Sequence, residues 1–379
     1  MREIIAALMV VSLIFAGGCT AQETKPKESA DTVGVWISYS EIDSMVRSPE
    51  GFEENFSAAV DRCAEIGINT VYFHAVAFCD ATYASEIYPS RHGQDLLKTA
   101  IELCEERGIA LHAWLNPYRV QTSSASTETL RDGFVKEWLS DSDEENDKNV
   151  CFTSDGIYLN PASSRVKNII LSAVREILTN YRVAGIQYDD YFYPTVAESF
   201  DEDSYKAYTS GTETPLELSH WRRQNVNSLI LCTYNVVKAA KGDRIFGVSP
   251  AADLERCYNE LYADVETWVS GGYVDYILPQ LYFGFEYPNE RFQFENLMIK
   301  WLDIAGEKTR LIIGLPMYKT ATVQEPDITE WQAKNDIVAR QIECVRKYKA
   351  EGFAFFSLSS LFSDSAANRE QLQNIKEVI

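Results

Sequence analysis

Two adjacent acids, Asp189 and Asp190, are the residues of this sequence best suited to acid–base chemistry. They end an apolar, β-prone run that begins at Gly185, and aromatic residues and a proline follow them. If Gly185 to Tyr191 is one strand, alternation places Asp189 on the face of Gly185 and Gln187, whereas Asp190 lies on the opposite face. A glycine and an amide suit the inside of a narrow barrel. We therefore expect Asp189 to face inward and Asp190 to reach a neighbouring strand; the alternative is that the pair caps a loop or a helix.

Other polar and aromatic residues also fall where predicted strands end. Aromatic rings with nearby amides and few cations suit a sugar ring, which has an apolar face and a fringe of hydroxyls. His74 and His112 lie within strands, and we interpret them as packed barrel histidines rather than catalysts. Sugar contacts are expected from Trp114, Asn116, Arg119, Tyr191, Asp253, Gln280 and Tyr282.

The elements that must position these residues alternate between strand and helix. Apolar strands alternating with helices form parallel sheets, and eight such units close into a barrel whose chemistry lies at the strand ends. The sequence therefore predicts an α/β fold, a (β/α)8 TIM barrel in a single domain over residues 32–379. The predicted strands are Gly34–Tyr39, Thr70–Ala77, Ala110–Asn116, Gly185–Tyr191, Ile245–Pro250, Val274–Tyr282, Leu311–Met317 and Gly352–Leu358. An insertion, Val120–Pro161, is expected to cover one side of the mouth, with its acidic run Asp141–Asp147 as a solvated loop.

The first 31 residues indicate export and anchoring. Residues 1–18 combine Arg2, an apolar core and small residues, which is typical of a signal peptide. Cys19 follows Ala-Gly-Gly, which resembles a bacterial lipobox and implies cleavage before Cys19 and its acylation; the alternative is an ordinary secretory peptide. Residues 19–31 are expected to carry this lipid and to form a flexible tether. We therefore expect an extracytoplasmic protein, lipid-anchored to a bacterial membrane.

Charge and cysteine usage restrict the partners. The formal net charge of −21 argues against nucleic acid as a ligand. The seven cysteines after Cys19 are scattered without a CxxC pair, so we expect buried free thiols rather than disulfides or a zinc site. No cofactor is predicted. The expected partners are a polysaccharide and, through Cys19, a membrane.

Several blocks of the sequence occur in the order of a known family: Gly34–Trp36, Ala113–Arg119, Leu159–Pro161, Gly185–Pro194, Gly247–Pro250 and Val274–Tyr282. Together they resemble glycosyl-hydrolase-like family 10, a family of bacterial cell-envelope barrel proteins. The resemblance extends from about residue 32 to the end of the chain. It implies glycosidase activity, with peptidoglycan glycan strands stripped of their peptides as a substrate.

Glycoside hydrolysis needs a proton donor and a second carboxylate. We expect Asp189 to be essential, with Asp190 holding it in place or orienting an N-acetyl group. Its partner is expected to be Glu286, whose aromatic neighbours predict a raised pKa, with Asp253 next in order; the alternative is that Glu286 is a solvated loop residue. A barrel that binds glycan without cleaving it is one alternative. A metal-dependent hydrolase using the two aspartates with His74 or His112 is another, although the chain lacks a close histidine pair.

Overall fold

The structure is a computed structural model that describes residues 31–122, 127–320 and 328–379. The predicted signal peptide, Cys19 and the tether up to residue 30 lie outside these residues. Asp31–Ile379 forms one compact unit. Among the described residues, no helix combines the length and apolar character needed to cross a bilayer.

A parallel sheet organises the described chain. The strands are β1 Thr32–Ile37, β2 Thr70–Val76, β3 Ala110–Leu115, β4 Arg119–Gln121, β5 Val150–Thr153, β6 Gly156–Leu159, β7 Gly185–Tyr188, β8 Ile245–Val248, β9 Tyr276–Ile277, β10 Arg310–Leu311, β11 Ile313–Leu315 and β12 Gly352–Phe355. Nine of them pair in the order β10-β9-β8-β7-β3-β2-β1-β12-β11. The other three, β4, β6 and β5, form a small antiparallel sheet in the insertion.

The large sheet closes on itself because its two end strands are consecutive pieces of chain. β10 and β11 are separated by Ile312 alone, whose N–H donates to Ile277 O of the sixth strand at 3.0 Å. The pair therefore serves as one strand, and eight strands in chain order enclose the barrel. The predicted (β/α)8 barrel is confirmed.

Helices cover the outside of this barrel. The described helices are α1 Tyr39–Arg47, α2 Gly51–Glu65, α3 Leu96–Glu105, α4 Phe134–Trp138, α5 Glu144–Asp147, α6 Ser164–Asn180, α7 Glu202–Ser210, α8 Leu218–Ala239, α9 Leu254–Asn259, α10 Val265–Ser270, α11 Phe294–Ala305, α12 Ile328–Ala333, α13 Ile337–Lys347, α14 Leu358–Leu361 and α15 Ala366–Val378. α6 shows the common pattern: Ser163 accepts from Val166 N–H at its start, and Ile170, Val174 and Ile177 bury one face.

The barrel interior is filled by large side chains that face small ones. Gly185 lies against His112, and a Cβ on this glycine would meet the ring at 2.9 Å. Gln187 accepts a hydrogen bond from Trp36 Nε1 at 3.0 Å inside the barrel. The expected inward face of this strand is therefore confirmed.

The fourth barrel strand is shorter than predicted. β7 ends at Tyr188 rather than Tyr191, because the chain turns at the two acids. Tyr191 N–H donates to Asp189 Oδ1 at 3.2 Å, and Phe192 N–H donates to Asp190 O at 3.0 Å. These local bonds replace the sheet ladder and leave both carboxyl groups at the mouth of the barrel.

The insertion forms the small antiparallel sheet, and Arg119 on β4 pairs with Tyr158 on β6. The acidic run Asp141–Asp147 is largely exposed, as expected, although Glu144–Asp147 forms one short helix. The seven cysteines of the described chain are free, and six are buried, which confirms the expectation of free thiols.

Candidate active site

A cavity of about 360 Å³ opens at the carboxyl ends of the barrel strands. This is the end of the barrel at which the fold places chemistry, and the size suits a sugar-sized ligand. Its lining includes seven of the predicted residues: Trp114, Asn116, Arg119, Asp189, Tyr191, Gln280 and Tyr282. It also contains Trp36, Ser38, Tyr39, Ser40, Glu41, His74, Ser249, Phe356, Ser357 and Ser359.

Asp189 reaches this cavity while remaining 4 % exposed. Its Oδ2 accepts from Trp114 Nε1 at 3.1 Å, and its Oδ1 accepts from Tyr191 N–H. Burial raises the pKa of the Asp189 carboxyl well above its ordinary value, and the neighbouring charge of Asp190 adds to the rise. A carboxyl group with this environment holds its proton at a pH where an exposed aspartate has lost it.

Asp190 points to the neighbouring part of the sheet, as alternation predicted. Its Oδ1 accepts from Gln280 Nε2 at 3.2 Å, and the same Gln280 group donates to Ser249 O. Burial raises the pKa of Asp190, against the hydrogen bond from Gln280, which lowers it. Asp190 is not among the residues that line the cavity. It therefore acts on Asp189 through its charge and fixes Gln280.

Aromatic rings form much of the cavity wall. The Tyr282 and Phe356 rings lie 5.7 Å apart, and Trp36 packs edge-on against Phe356 at 5.9 Å. Trp114 stacks flat on His74, with ring centroids 3.6 Å apart and an interplanar angle of 15°. Such rings offer apolar faces on which a sugar ring can pack.

Arg119 brings a positive charge to this wall. Its guanidinium lies 4.3 Å from the Tyr191 ring centroid and 5.1 Å from that of Phe78. Its Nε is buried without a hydrogen-bond partner, and Arg119 forms no ion pair with any residue of the described chain. Stacking therefore orients the guanidinium and leaves its charge for a ligand.

Glu41 is the cavity carboxyl that sequence reasoning missed. Its Oε2 accepts from Ser38 N–H at 2.7 Å and from Ser38 Oγ at 2.8 Å. Its Oε1 accepts from Ser357 Oγ and from Ser359 N–H, each at 2.6 Å. These bonds join the start of α1 to the loop after β12. The signal was present as Ser-x-x-Glu directly after the first strand, a capping-box pattern that places a glutamate at the strand end.

Glu286 does not have the predicted environment. Its side chain is 60 % exposed and pairs with Lys334, whose hydrogen bond lowers the pKa of Glu286 instead of raising it. It is absent from the cavity lining, because the loop after β9 turns its carboxyl toward α12. The prediction that Glu286 is a general acid with a raised pKa is therefore wrong.

Asp253 is also absent from the cavity lining. Its Oδ1 accepts from Glu255 N–H at 3.1 Å and caps the start of α9, and it pairs with Arg291. The carboxyl is therefore used by the helix start and by an ion pair, and the expected sugar contact and catalytic alternative are both corrected.

Within residues 31–122, 127–320 and 328–379, no three His, Cys, Asp or Glu side chains converge in an arrangement that would hold a metal ion.

A parallel eight-stranded barrel with a buried acid and aromatic rings at its carboxyl end has the architecture of glycoside hydrolases. The profile of the family described as glycosyl hydrolase-like 10 matches residues 32–333, and the chain belongs to that family. The resemblance inferred from the sequence is confirmed.

Named relatives agree with this assignment. The chain is 31 % identical over 299 residues to glycosyl hydrolase DigH of Escherichia coli K12, covering 71 % of this chain and 67 % of that protein. It is 26 % identical over 351 residues to glycosyl hydrolase YngK of Bacillus subtilis, covering 84 % and 66 %.

Among solved structures, the glycoside hydrolase domain of PgaB (BpsB) from Bordetella bronchiseptica superimposes with a TM-score of 0.58 at 13 % identity, covering 91 % of this chain and 99 % of that one. A chitinase from Chromobacterium violaceum superimposes with a TM-score of 0.51 at 13 % identity and the same coverage. At this identity the two structures support the fold alone.

Proposed function

We propose that this protein is a glycoside hydrolase that cleaves bacterial envelope polysaccharide, with the glycan strands of peptidoglycan as substrate. One observation carries the proposal: Asp189, a buried acid with a raised pKa, lies in an aromatic-lined cavity at the catalytic end of the barrel. Family membership and relatives named glycosyl hydrolases support the same reaction class.

Asp189 is the proton donor in this proposal. The protonated carboxyl gives its proton to the glycosidic oxygen as the bond from that oxygen to the anomeric carbon breaks. Water adds to the anomeric carbon and loses a proton to a carboxylate, so that one water is consumed for each bond cleaved. The hydrogen bond from Trp114 fixes the carboxyl during the transfer.

Glu41 is the second carboxyl in this proposal, in place of Glu286. Along the described chain, it is the other carboxylic acid that lines the cavity beside Asp189. Two of its four donors are the hydroxyls of Ser38 and Ser357, which can rotate away and free a lone pair for a water proton.

Arg119 supports an acidic glycan as the substrate. Muramic acid carries a lactyl carboxylate, and an arginine fork binds carboxylates with directional hydrogen bonds. The guanidinium is held by ring stacking and lacks a carboxylate partner among the described residues, so it suits this group. In a chain of net charge −21, a free arginine in the cavity favours a ligand with its own negative charge.

A glycan-binding protein without turnover is the second candidate. The observation that favours it is the saturation of Glu41 by four hydrogen bonds, which opposes its use as a base. The two candidates differ in one outcome, the appearance of new reducing ends.

The test uses the purified full chain in detergent. It is incubated with peptide-free glycan strands, with intact peptidoglycan and with chitin, and the products are identified by mass spectrometry. New reducing ends from peptide-free strands are the expected result. Binding to these strands without new ends would replace the hydrolase by the binding protein, and neither binding nor cleavage would reject both.

We also propose that acylated Cys19 anchors the protein to a bacterial membrane, outside the cytoplasm. The support is the signal-like segment and the lipobox-like residues before Cys19. Labelling with a fatty-acid analogue should mark the wild-type chain in the membrane fraction, whereas C19A should lose the label and leave that fraction. A labelled C19A chain would reject the proposal.

A further inference from the structure

The two ends of the barrel differ in charge. The strands are parallel, so the loops that lead from a helix into the next strand lie at the end opposite the cavity, which we call the amino end. Together with Asp31, these loops are residues 66–69, 106–109, 181–184, 240–244, 271–275, 306–309 and 348–351. They contain six cations and six acids: Arg107, Arg182, Lys241, Arg244, Lys308 and Lys349, and Asp31, Glu106, Asp243, Asp275, Glu307 and Glu351. The amino end is therefore neutral in a chain of net charge −21.

The segments that lead from strand to helix at the mouth are strongly acidic. Residues 116–163, between β3 and α6, contain nine acids and four cations, and residues 189–217, between β7 and α8, contain eight acids and one cation. Their combined net charge of −12 is more than half of the total. Charges are screened over about 8 Å at physiological ionic strength, whereas β1 alone extends roughly 20 Å from the amino end toward the mouth. The field at each end therefore depends on the residues of that end.

Several acids of the amino end are bound within the protein, whereas several of its cations are not. Asp275 pairs with Lys238 at 2.6 Å, and Glu351 Oε2 accepts from Leu311 N–H at 2.9 Å. Three exposed lysines of this end form no ion pair with a described residue: Lys241, Lys308 and Lys349. The charges that the amino end offers to a partner are therefore mainly positive.

A groove of about 1030 Å³ between α6 and α8 opens beside these cations. Lys241 and Arg244 line it, and no acid of the described chain does. Leu171, Leu178 and Val236 add apolar surface to the same groove. Cations beside apolar surface suit an anionic amphiphile such as a phospholipid, whose headgroup binds the cations.

The predicted anchor joins the barrel at the amino end. Asp31 precedes β1, and its carbonyl oxygen accepts from Asn69 Nδ2 at 2.9 Å. The expected tether between Cys19 and Asp31 reaches roughly 20 Å. A bilayer that holds the Cys19 lipid is therefore within reach of the loops at this end.

We propose that the amino end of the barrel docks on anionic phospholipid of the anchoring membrane, with Lys241 and Arg244 on the headgroups, so that the cavity faces away from the bilayer. The inference rests on the proposed anchoring and adds an orientation to it. Each Lys or Arg near an anionic surface contributes roughly fivefold in affinity, and the acidic mouth is repelled by the same surface. The tether keeps the chain at the membrane, so these weak forces are sufficient to orient it.

The test measures which end of the barrel lies nearer the headgroups. The full C19A chain is held by an N-terminal histidine tag on vesicles that contain a nickel-chelating lipid. The vesicles are phosphatidylcholine alone or with about one third phosphatidylglycerol. A fluorophore is attached at Asn180→Cys or at Val196→Cys, with Cys232→Ala in both because Cys232 is the half-buried thiol. Asn180 precedes β7 at the amino end and Val196 follows it at the mouth, and both are exposed.

Nitroxide-labelled headgroups quench the fluorophore that lies nearer to them. With phosphatidylglycerol, quenching at Asn180→Cys should be at least about threefold stronger than at Val196→Cys, whereas the two should be nearly equal on phosphatidylcholine alone. Equal quenching on both vesicles, or stronger quenching at Val196→Cys, would overturn the proposal. The same threefold ratio on phosphatidylcholine would assign the orientation to the tether and overturn docking on anionic lipid.

Charge reversal assigns the docking to the groove. Lys241→Glu with Arg244→Glu should reduce the quenching ratio to about 1.5-fold or less. Lys206→Glu with Arg256→Glu makes the same change of charge on α7 and α9 at the mouth side and should not reduce the ratio. Thermal unfolding checks that each variant is folded, and the ratio in the unreversed chain tests the proposal even if a variant is not. An unchanged ratio in the folded Lys241 and Arg244 variant would overturn docking through these residues.

The tag takes the place of the acyl group, which keeps this proposal separate from the anchoring itself. Fatty-acid labelling of Cys19 together with equal quenching would support the anchor and reject the docking. A barrel oriented on phosphatidylglycerol together with an unlabelled Cys19 would support the docking and reject the anchor.

Discussion

Asp189 and Glu286 follow the fourth and sixth barrel strands, and aromatic residues surround both in the sequence, yet the two acids have opposite environments. Asp189 is buried in the cavity and its pKa is raised, whereas Glu286 is exposed and its pKa is lowered by Lys334. The aromatic neighbours of Glu286 pack among themselves, with Phe283 and Phe292 stacked at 5.4 Å. Aromatic residues beside an acid thus indicate a local apolar cluster, but they do not predict that the carboxyl enters it.

Glu41 adds a third environment to this comparison. It is nearly as buried as Asp189, at 9 % exposure, but four donors surround its carboxyl where Asp189 has two. Burial with few donors favours the protonated acid, which is the state proposed for Asp189. The four donors of Glu41 instead fix the position of its carboxyl group.

The largest expected effect is that of Asp189→Asn. The amide keeps the shape but has no acidic proton, so kcat should fall by about 10³-fold while KM stays within about threefold. Release of reducing ends from peptide-free glycan measures this change. Near-normal kcat would remove Asp189 from the mechanism.

Glu41→Ala should have the next largest effect, a fall in kcat/KM of about 10- to 100-fold. Without the carboxylate, the N–H of the buried Ser38 loses its acceptor, which costs about 1–3 kcal/mol of unfolding free energy. Steady-state kinetics and thermal unfolding measure the two effects. Glu53→Ala, an exposed glutamate on α2, is the matched control. Wild-type kinetics in a folded Glu41→Ala variant would show that Glu41 has only a structural role.

Arg119→Ala should raise KM for peptide-free glycan by about tenfold with kcat within about threefold, because the lost contact binds substrate and transition state alike. The comparison substrate is the same glycan with its carboxyl groups reduced to alcohols, on which wild type and variant should agree. Arg175→Ala, an exposed arginine on α6, controls for charge. An equal loss on both substrates would contradict a carboxylate contact.

The pH dependence of stability provides a smaller effect. Because folding raises the pKa of Asp189, the folded state binds its proton more tightly, and this stabilisation is lost as pH rises from the unfolded value of 3.8 toward the raised folded value. Asp189→Asn removes this pH-dependent loss but also one hydrogen-bond acceptor, since an amide has a single oxygen for the two donors, Trp114 Nε1 and Tyr191 N–H. The melting temperature of the variant relative to wild type should therefore rise by roughly 2 °C or more between pH 4 and pH 7. Calorimetry across this range measures the change. A difference between variant and wild type that does not vary with pH would contradict the raised pKa.

The smallest expected effects are those of Glu286→Gln and Asp253→Asn. Both carboxyl groups lie outside the cavity lining and bind Lys334 and Arg291, so kcat/KM should stay within about twofold of wild type. Kinetics on peptide-free glycan measure this. A loss of kcat/KM close to that of Asp189→Asn would show that the loop after β9 belongs to the active site.

The barrel and the separation of Asp189 from Asp190 were predictable from the sequence. Strand and helix periodicities are local, and alternation along one strand decides which of two adjacent acids faces inward. The shortened β7 did not change this result, because Asp189 directly follows the last strand residue.

The partners of each carboxyl were decided only by the tertiary structure. Glu41 receives donors from Ser357 and Ser359, more than 300 positions later in the chain, whereas Glu286 meets Lys334, which directly follows α12. Such contacts depend on how distant loops meet at the barrel mouth, and the periodicity of the sequence does not predict them. The sequence by itself determined which strands end in reactive residues. Closure of the barrel decided which of these side chains are buried, which are paired and which keep an unused polar atom, because burial and pairing depend on neighbours from the whole chain.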